Sequence, residues 1–101
     1  MSELYTRFDG VFFEKTRLSL LTLLFREEKL SFKALKSKLQ LTDGAVYTHL
    51  EKLIQGGYVE KMKEAAGLSV QTVYGLTDFG RQEFVAYLDF VRSMILQGEK
   101  T

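Results

Sequence analysis

The chain has 101 residues, of which 46% are hydrophobic and 27% charged, a balance typical of one folded domain with a single core. It contains no Cys and one His, which excludes disulfides, thiolate metal sites and a cysteine nucleophile and leaves too few ligands for a usual zinc site. The net charge is +1, but residues 31–63 hold six lysines and three acidic residues and therefore carry +3. Such a stripe suits a phosphate-facing surface, although from charge alone a solvated lysine-rich helix is the better explanation.

No segment has the pattern of a targeting or membrane sequence. The first ten residues lack a basic start followed by an apolar run. The longest apolar stretch, Leu18–Phe25, is interrupted by Ser19 and Thr22 and is far below the ~20 residues that span a bilayer. We therefore expect a cytoplasmic protein with no membrane partner.

The first predicted helical segment covers residues 4–27, with a potential break near Asp9-Gly10. Within it, Leu18–Phe25 carries apolar residues nearly all the way round a helix, and such a helix must be covered on more than one side. In a domain this small, one side can face the core and the other a partner chain, which indicates a homodimer. The dimer interface is predicted on the first and last helices at Phe12, Phe13, Leu20, Tyr87, Phe90, Val91 and Met94.

Residues 31–55 are predicted to form a helix-turn-helix. Ser31 is a suitable N-cap for a short helix that ends at Leu39. The lysines of this helix lie away from its apolar face. After a tight turn, Thr42 is a suitable N-cap for a second helix, from Asp43 to about Gln55. The pair Gly56-Gly57 ends this helix because glycine adopts the left-handed conformation at low cost.

Residues 58–76 are predicted to form a β-hairpin, with strands at 58–63 and 70–76 and a loop at 64–69. Thr77 then caps a last helix over residues 78–97, in which apolar residues recur at helical spacing. A hairpin directly after a helix-turn-helix is a wing. The predicted fold is a single α+β, mostly helical, winged helix-turn-helix domain over residues 1–101, with long N- and C-terminal helices that dimerise.

The second helix of the helix-turn-helix has the properties of a recognition helix, because the major groove of B-DNA admits one α-helix. Gly44 and Ala45 are small enough to approach base edges, whereas lysines on this helix and its neighbours would contact phosphates. Asp43 would repel phosphate and is interpreted as a capping charge, and His49 as a packed side chain rather than a base reader. The predicted DNA-binding residues are Lys33, Lys36, Thr42, Gly44, Ala45, Tyr47, Thr48, Lys52, Lys61 and Lys63.

Two stretches carry a resemblance to a known family: residues 30–61, with the pattern H-L-E-K-L followed by G-Y-V, and residues 71–81, Q-T-V-Y-G-L-T-D-F-G-R. Together they resemble the small stand-alone winged-helix transcriptional regulators of MarR-like and ArsR-like type, found in bacteria and archaea. The resemblance implies dimerisation through the first and last helices, and base reading at the positions of Gly44, Ala45, Tyr47 and Thr48. It also implies minor-groove or phosphate contact at the hairpin tip, around Ala65–Gln71. Similar proteins sometimes bind small apolar effectors between the dimer helices, and the phenylalanines of the first segment would suit such a ligand.

The chain departs from the family at the tip of the wing. That tip commonly carries Arg or Lys, but here residues 67–71 read G-L-S-V-Q, and only Lys61 and Lys63 at its base supply positive charge. Whether the wing contacts DNA therefore stays open from the sequence.

The predicted function is sequence-specific binding of double-stranded DNA by a transcriptional regulator. The alternative is a winged helix that serves as a protein-interaction module without DNA, which the mild net charge and the uncharged wing tip would favour. An enzyme, a cofactor and a metal site are not expected, because no nucleophile motif, phosphate loop or cluster of ligands is found in the sequence.

Overall fold

The computed structural model describes residues 14–100, with side chains described to residue 96. Within this range the chain forms four helices and three strands: α1 (Lys15–Glu27), β1 (Lys29–Ser31), α2 (Phe32–Leu39), α3 (Asp43–Gln55), β2 (Val59–Ala66), β3 (Ser69–Leu76) and α4 (Asp78–Lys100). The predicted winged helix-turn-helix is therefore confirmed.

Helix α1 is the centre of the core. Its Leu20, Leu21 and Leu24 have no exposed surface, and burial of one such side chain contributes about 1.5–3 kcal/mol. The remaining core comes from every other element except β1: Leu35, Val46, Leu50, Leu53, Val59, Tyr74 and Phe84. Two polar residues of α1 are accommodated because the hydroxyls of Ser19 and Thr22 donate to carbonyls one turn earlier, at 2.8 and 2.7 Å.

Two expectations for the first helix need correction. Leu20 was predicted at a dimer interface, but its whole surface is covered by its own chain, since the small domain wraps α1 on several sides. The segment 4–27 is also not one continuous helix: Glu14 has extended backbone angles and caps α1, its carboxylate accepting from the Arg17 N–H at 2.8 Å. Residues 4–13 of that segment lie outside the described residues.

The predicted N-caps of the three later helices are all present. The hydroxyl of Ser31 accepts from the Ala34 N–H at 3.1 Å, and that of Thr42 accepts from the Ala45 N–H at 3.2 Å. The hydroxyl of Thr77 accepts from the Gly80 N–H at 2.8 Å. Each cap satisfies an amide that the first helical turn leaves free, which explains why short polar residues define these boundaries.

The turn between α2 and α3 is closed by Gln40, which takes the left-handed conformation with φ 55° and donates its N–H to the Lys36 carbonyl. At the end of α3, Gly57 has φ 84°, as expected for a glycine after a helix. Gly80 is needed for another reason: a Cβ there would overlap the backbone carbonyl of Tyr58. This close approach fixes the start of α4 against the base of the wing.

The sheet has the order β1-β3-β2, and both pairings are antiparallel. The third strand, β1, was not predicted; its three residues pair with Val73–Gly75 of β3, so tertiary pairing rather than any local pattern makes it a strand. The predicted loop at 64–69 is too long, because β2 and β3 stay paired as far as Ala66 and Ser69. The remaining two-residue turn has Gly67 at φ 66°, as in the type II′ hairpin turns that match strand twist.

Helix α4 begins against the core and then extends beyond it. Phe84 packs on Phe25 with ring centroids 5.5 Å apart, and the guanidinium of Arg81 lies 4.9 Å from the centroid of the Phe25 ring. Further along, Leu88, Ile95 and Leu96 are exposed. Among residues 14–100, no helix combines the length and the hydropathy that crossing a bilayer would require.

Candidate nucleic-acid interface

Helix α3 is held by a fully buried stripe and leaves its opposite face in solvent. Val46, Leu50 and Leu53 are at most 1% exposed, which explains why the helix is fixed in orientation. On the outer face, Tyr47 is 58% exposed and Thr48 is also exposed. An anchored helix with polar groups facing outward is what insertion into a DNA groove requires.

The N-terminal turn of α3 is the least obstructed part of this face. Thr42, Asp43 and Gly44 are exposed, and nothing lies within 4 Å of the position that a Cβ on Gly44 would occupy. Ala45 is half-buried, so it is more recessed than the sequence prediction assumed. The first turn of α3 can therefore approach a flat or grooved partner closely through its backbone.

An ion pair joins the two helices of the helix-turn-helix at this same turn. Lys36 Nζ lies 2.7 Å from Asp43 Oδ1, and the two side chains are 46% and 71% exposed. The sequence predicts Lys36 as a phosphate contact and Asp43 only as a helix charge, and it does not indicate that the two side chains are paired. The available signal was their position on either side of a tight turn, Lys36 in the last turn of α2 and Asp43 in the first of α3.

The other two lysines predicted on the helix-turn-helix differ from Lys36 in their exposure and ion pairing. Lys33 and Lys52 are exposed, and within residues 14–96 no ion pair joins either of them to an acidic side chain. Lys33 and Lys36 line a surface groove of about 460 Å³ together with Ser37, Gln40 and Leu41. Cations therefore flank the exposed face of α3 on the α2 side.

The wing supplies a second basic edge. Lys61 and Lys63 are exposed and lie opposite Tyr74 and Thr72 in the register of β2 and β3. The Lys63 ammonium donates to the Thr72 hydroxyl at 2.8 Å, which holds the cation across the two paired strands. With Met62, these four residues line a groove of about 340 Å³.

Tyr74 links the wing to α3 and was missed as a site residue. Burial raises the pKa of the Tyr74 hydroxyl, and the Glu51 carboxylate and Tyr47 phenol raise it further. The last two effects come from side chains of α3, so these groups lie close enough to the Tyr74 hydroxyl to disfavour its ionisation. The sequence signal, an aromatic residue in a strand, could not distinguish this position from an ordinary core residue.

His49 lies on the inner side of α3, not on its outer face. Its Nδ1 is 3.7 Å from Glu14 Oε1, and 21% of its side chain is exposed. The hydrogen bond from the Arg17 N–H, with a smaller contribution from His49, keeps the pKa of Glu14 below its usual value. This position agrees with the interpretation of His49 as a packed residue.

The predicted dimer residues fall into separate environments. Tyr87 and Val91 are half-buried and line an apolar groove of about 370 Å³ with Leu18, Leu88, Arg92, Ile95 and Leu96. Met94 is half-buried and Phe90 is only 9% exposed within the single chain. Phe12 and Phe13 lie outside the described residues.

The part of the chain with described side chains contains no cluster of His, Asp and Glu suited to a metal ion. The described surface instead presents exposed polar and basic side chains on α2, α3 and the hairpin. The chain matches a family model described as a winged helix DNA-binding domain over residues 16–95. The chain belongs to this winged helix DNA-binding domain family.

Proteins similar to this chain are found in archaea and bacteria. The chain is 38% identical over 78 residues to an uncharacterized protein, MJ0432, of Methanocaldococcus jannaschii, covering 77% of this chain and 85% of that one. It is similar to the structure of a transcriptional regulator homologue from Pyrococcus horikoshii OT3, with a TM-score of 0.82, 28% identity and coverage of 94% and 95% of the two chains. It also resembles Bacillus subtilis PadR in complex with operator DNA, with a TM-score of 0.58, 27% identity and coverage of 68% of this chain and 44% of PadR.

Proposed function

We propose that this winged helix DNA-binding protein is a homodimeric transcriptional regulator that inserts α3 into the major groove of double-stranded DNA. The observation that carries the proposal is the exposed N-terminal turn of α3, which stands on a fully buried stripe and has basic edges on both sides. The similarity to a regulator homologue and to PadR bound to its operator supports the same assignment.

The residues of this face divide by chemistry into two groups. Tyr47 and Thr48 carry hydroxyls, while Gly44 and Ala45 allow close approach, so these four are proposed to read base edges. Cations position the protein on the backbone without reading sequence. The proposed phosphate contacts are Lys33, Lys36, Lys52, Lys61 and Lys63.

The apolar side of α4 supports the dimer. Leu88, Ile95 and Leu96 are exposed and continue the groove that Tyr87 and Val91 line, and a helix with such a face is stabilised when a second apolar surface covers it. A two-fold dimer would present two recognition helices about 34 Å apart, one turn of the duplex. A small apolar effector between the dimer helices remains a prediction.

The first experiment is selection of a randomised duplex pool by the purified protein at low salt, with light scattering on the same sample. We expect enrichment of a palindrome with half-sites about one helical turn apart. If four to six phosphates are neutralised, log K should fall against log salt with a slope of roughly −4 to −5. A slope near zero, or a monomer at micromolar concentration, would contradict the DNA and dimer proposals respectively.

Variants separate base reading from phosphate contact. Thr48→Ala should relax base preference at one position, whereas Lys52→Ala should weaken binding to all sequences about equally. Arg26→Ala removes an exposed cation of α1 outside this face and serves as the control. If the folded protein selects no duplex and instead forms a complex with another protein through α3, the interaction-module alternative is correct.

A further inference from the structure

The outer edge of β3 is open near the tip of the wing. The strand β1 pairs only with Val73–Gly75. Closer to the turn, β3 therefore has β2 on one side and, among residues 14–100, no strand on the other. The first three residues of β3, which are Ser69, Val70 and Gln71, are all exposed. Their outer side is a free sheet edge.

This edge lacks the protection that natural sheet edges usually have. Free edges are commonly kept apart by charged side chains, and the outer strand β2 follows this rule, since half of its residues are charged and exposed. In contrast, no charged residue occurs from Ala65 to Thr72. Two apolar side chains extend into solvent there instead: Leu68 is fully exposed, and Val70 is 66% exposed.

The backbone of this edge offers its hydrogen-bonding groups at Val70. The Ala66–Ser69 pair closes the two-residue turn, and in such a hairpin the two closing residues direct their N–H and C=O groups at each other. Successive residues of an antiparallel strand alternate in this direction. Val70 therefore directs its N–H and C=O groups away from β2, where a further strand can bond to them.

We propose that this wing edge pairs with the same edge of a second copy of the chain, in antiparallel orientation and with Val70 opposite Val70. Two-fold symmetry sets one residue of such a pair opposite itself, and Val70 is the residue whose backbone groups point outward. The two Val70 residues are then joined by two hydrogen bonds. Ser69 of each copy lies opposite Gln71 of the other, and the two valine side chains cover one another.

Charge favours this edge over the other edge of the wing for self-pairing. Pairing of two β3 edges opposes no like charges, because the segment is uncharged. The same two-fold pairing of β2 around Met62 would set Lys61 opposite Lys63 and Glu60 opposite Glu64, and like charges directly opposite each other are destabilising. The uncharged edge is thus the one suited to a second copy.

The contact is too small to hold two freely diffusing molecules together. Three residues on each side are far below the roughly 800 Å² per partner of a standard interface. The wing edge shares no residue with the apolar groove of α4, so a homodimer formed through α4 would keep its wing edges available. Two dimers on neighbouring operators would meet at an effective concentration of about millimolar. Wing pairing then makes their binding cooperative, a consequence that rests on the proposed function, whereas the pairing itself does not.

Disulfide cross-linking tests the register without DNA. The chain contains no Cys, so Val70→Cys and Gln71→Cys each introduce a single exposed thiol. Two directly opposed Val70 residues would have Cα atoms about 5.5 Å apart, within the range that a disulfide bridges, whereas the two Gln71 residues would be about 8 Å apart, beyond it. Under oxidation by air with a copper catalyst, we expect Val70→Cys to form a covalent dimer at least about tenfold faster than Gln71→Cys.

Binding to a duplex with two copies of the selected operator tests the consequence. The spacing is varied in single base-pair steps over one helical turn, and a duplex with one operator is the reference. At the favourable spacing, we expect the second dimer to bind roughly tenfold more tightly than the first, since three cross-strand pairs form. Val70→Lys should abolish this difference because it sets two lysines opposite each other, and its effect on the contact of each dimer with DNA cancels in the ratio. Gln82→Lys adds the same charge at an exposed position of α4 and is the control.

The variants should fold, because Val70 is not part of the core. Equal cross-linking rates of the two cysteine variants, or cooperativity that Val70→Lys leaves unchanged, would overturn the inference. Faster cross-linking of Gln71→Cys would indicate another register and overturn the one proposed. If the wild-type protein selects no duplex while Val70→Cys still cross-links faster, the proposed function fails and the wing pairing is supported. If single operators are bound without cooperativity at any spacing and the two cysteine variants do not differ, the wing pairing fails and the proposed function is unaffected.

Discussion

Substitution of Asp43 by Asn should strengthen DNA binding. In the free protein Lys36 Nζ is 2.7 Å from Asp43 Oδ1, so a phosphate must compete with this carboxylate for the lysine. A solvent-exposed ion pair contributes about 0.2–1 kcal/mol, and the repulsion between the carboxylate and a phosphate ~8 Å away adds about 0.5 kcal/mol in water. Removal of both costs should raise affinity by about 0.7 to 1.5 kcal/mol, or roughly three- to twelvefold.

The assay is fluorescence anisotropy with the selected operator at several salt concentrations. Asp43→Asn should also make the salt slope steeper by up to about 0.9, because Lys36 becomes free to displace one counterion. The same change removes a favourable charge from the positive end of α3 and should lower the free energy of unfolding by about 0.3–1 kcal/mol. Stability and affinity therefore move in opposite directions.

Two variants control for this reasoning. Asp78 occupies the equivalent first-turn position of α4, so Asp78→Asn makes the same charge change away from the interface and should not raise affinity comparably. In a Lys36→Ala background, the gain from Asp43→Asn should shrink to the repulsion part alone. Unchanged or weaker binding by folded Asp43→Asn would refute the idea that the ion pair restrains Lys36.

Three further predictions concern stability and are checked by chemical denaturation. Gly80→Ala should lower the free energy of unfolding by about 3 kcal/mol or more, because the added methyl group would overlap the Tyr58 carbonyl. Gly44→Ala adds a methyl group in open space and should stabilise α3 by up to about 1 kcal/mol. Equal effects of the two variants on stability would refute the packing argument. Thr42→Ala removes the α3 cap and should cost about 1 kcal/mol, and no loss would mean that solvent replaces the cap. Because burial raises the pKa of Tyr74, the folded state holds the phenol proton more tightly than the unfolded chain does. The stability that this provides is present below about pH 10 and should fall as pH rises through the alkaline range. Tyr74→Phe should remove this part of the pH dependence, and an unchanged pH profile in the variant would contradict the prediction.

Local contacts explain what could be inferred from the sequence. The caps at Ser31, Thr42 and Thr77 and the glycine turn at Gly57 involve residues within a few positions of one another. Their side-chain chemistry therefore predicts where helices begin and end without knowledge of the fold. The helix-turn-helix and the hairpin followed from the order of these boundaries.

Long-range contacts explain what could not be inferred. The strand β1 exists only because Leu30 pairs with Tyr74 of β3, 44 positions later in the chain. Leu20 lies in the core rather than at a dimer interface because α1 is covered by elements that follow it, and a helix that is apolar on all sides does not reveal which neighbour covers which side.

In the candidate site, too, local sequence patterns and long-range contacts determine different features. The sequence by itself determined the recognition helix and its exposed polar positions, because helical periodicity places these positions on the face opposite the buried stripe. Only the tertiary structure decided that Lys36 is paired with Asp43, that Tyr74 is buried in the core and that Leu68 is fully exposed at the end of a long wing. Those relations depend on the angle between packed elements and on strand register, and no local sequence pattern determines either of them.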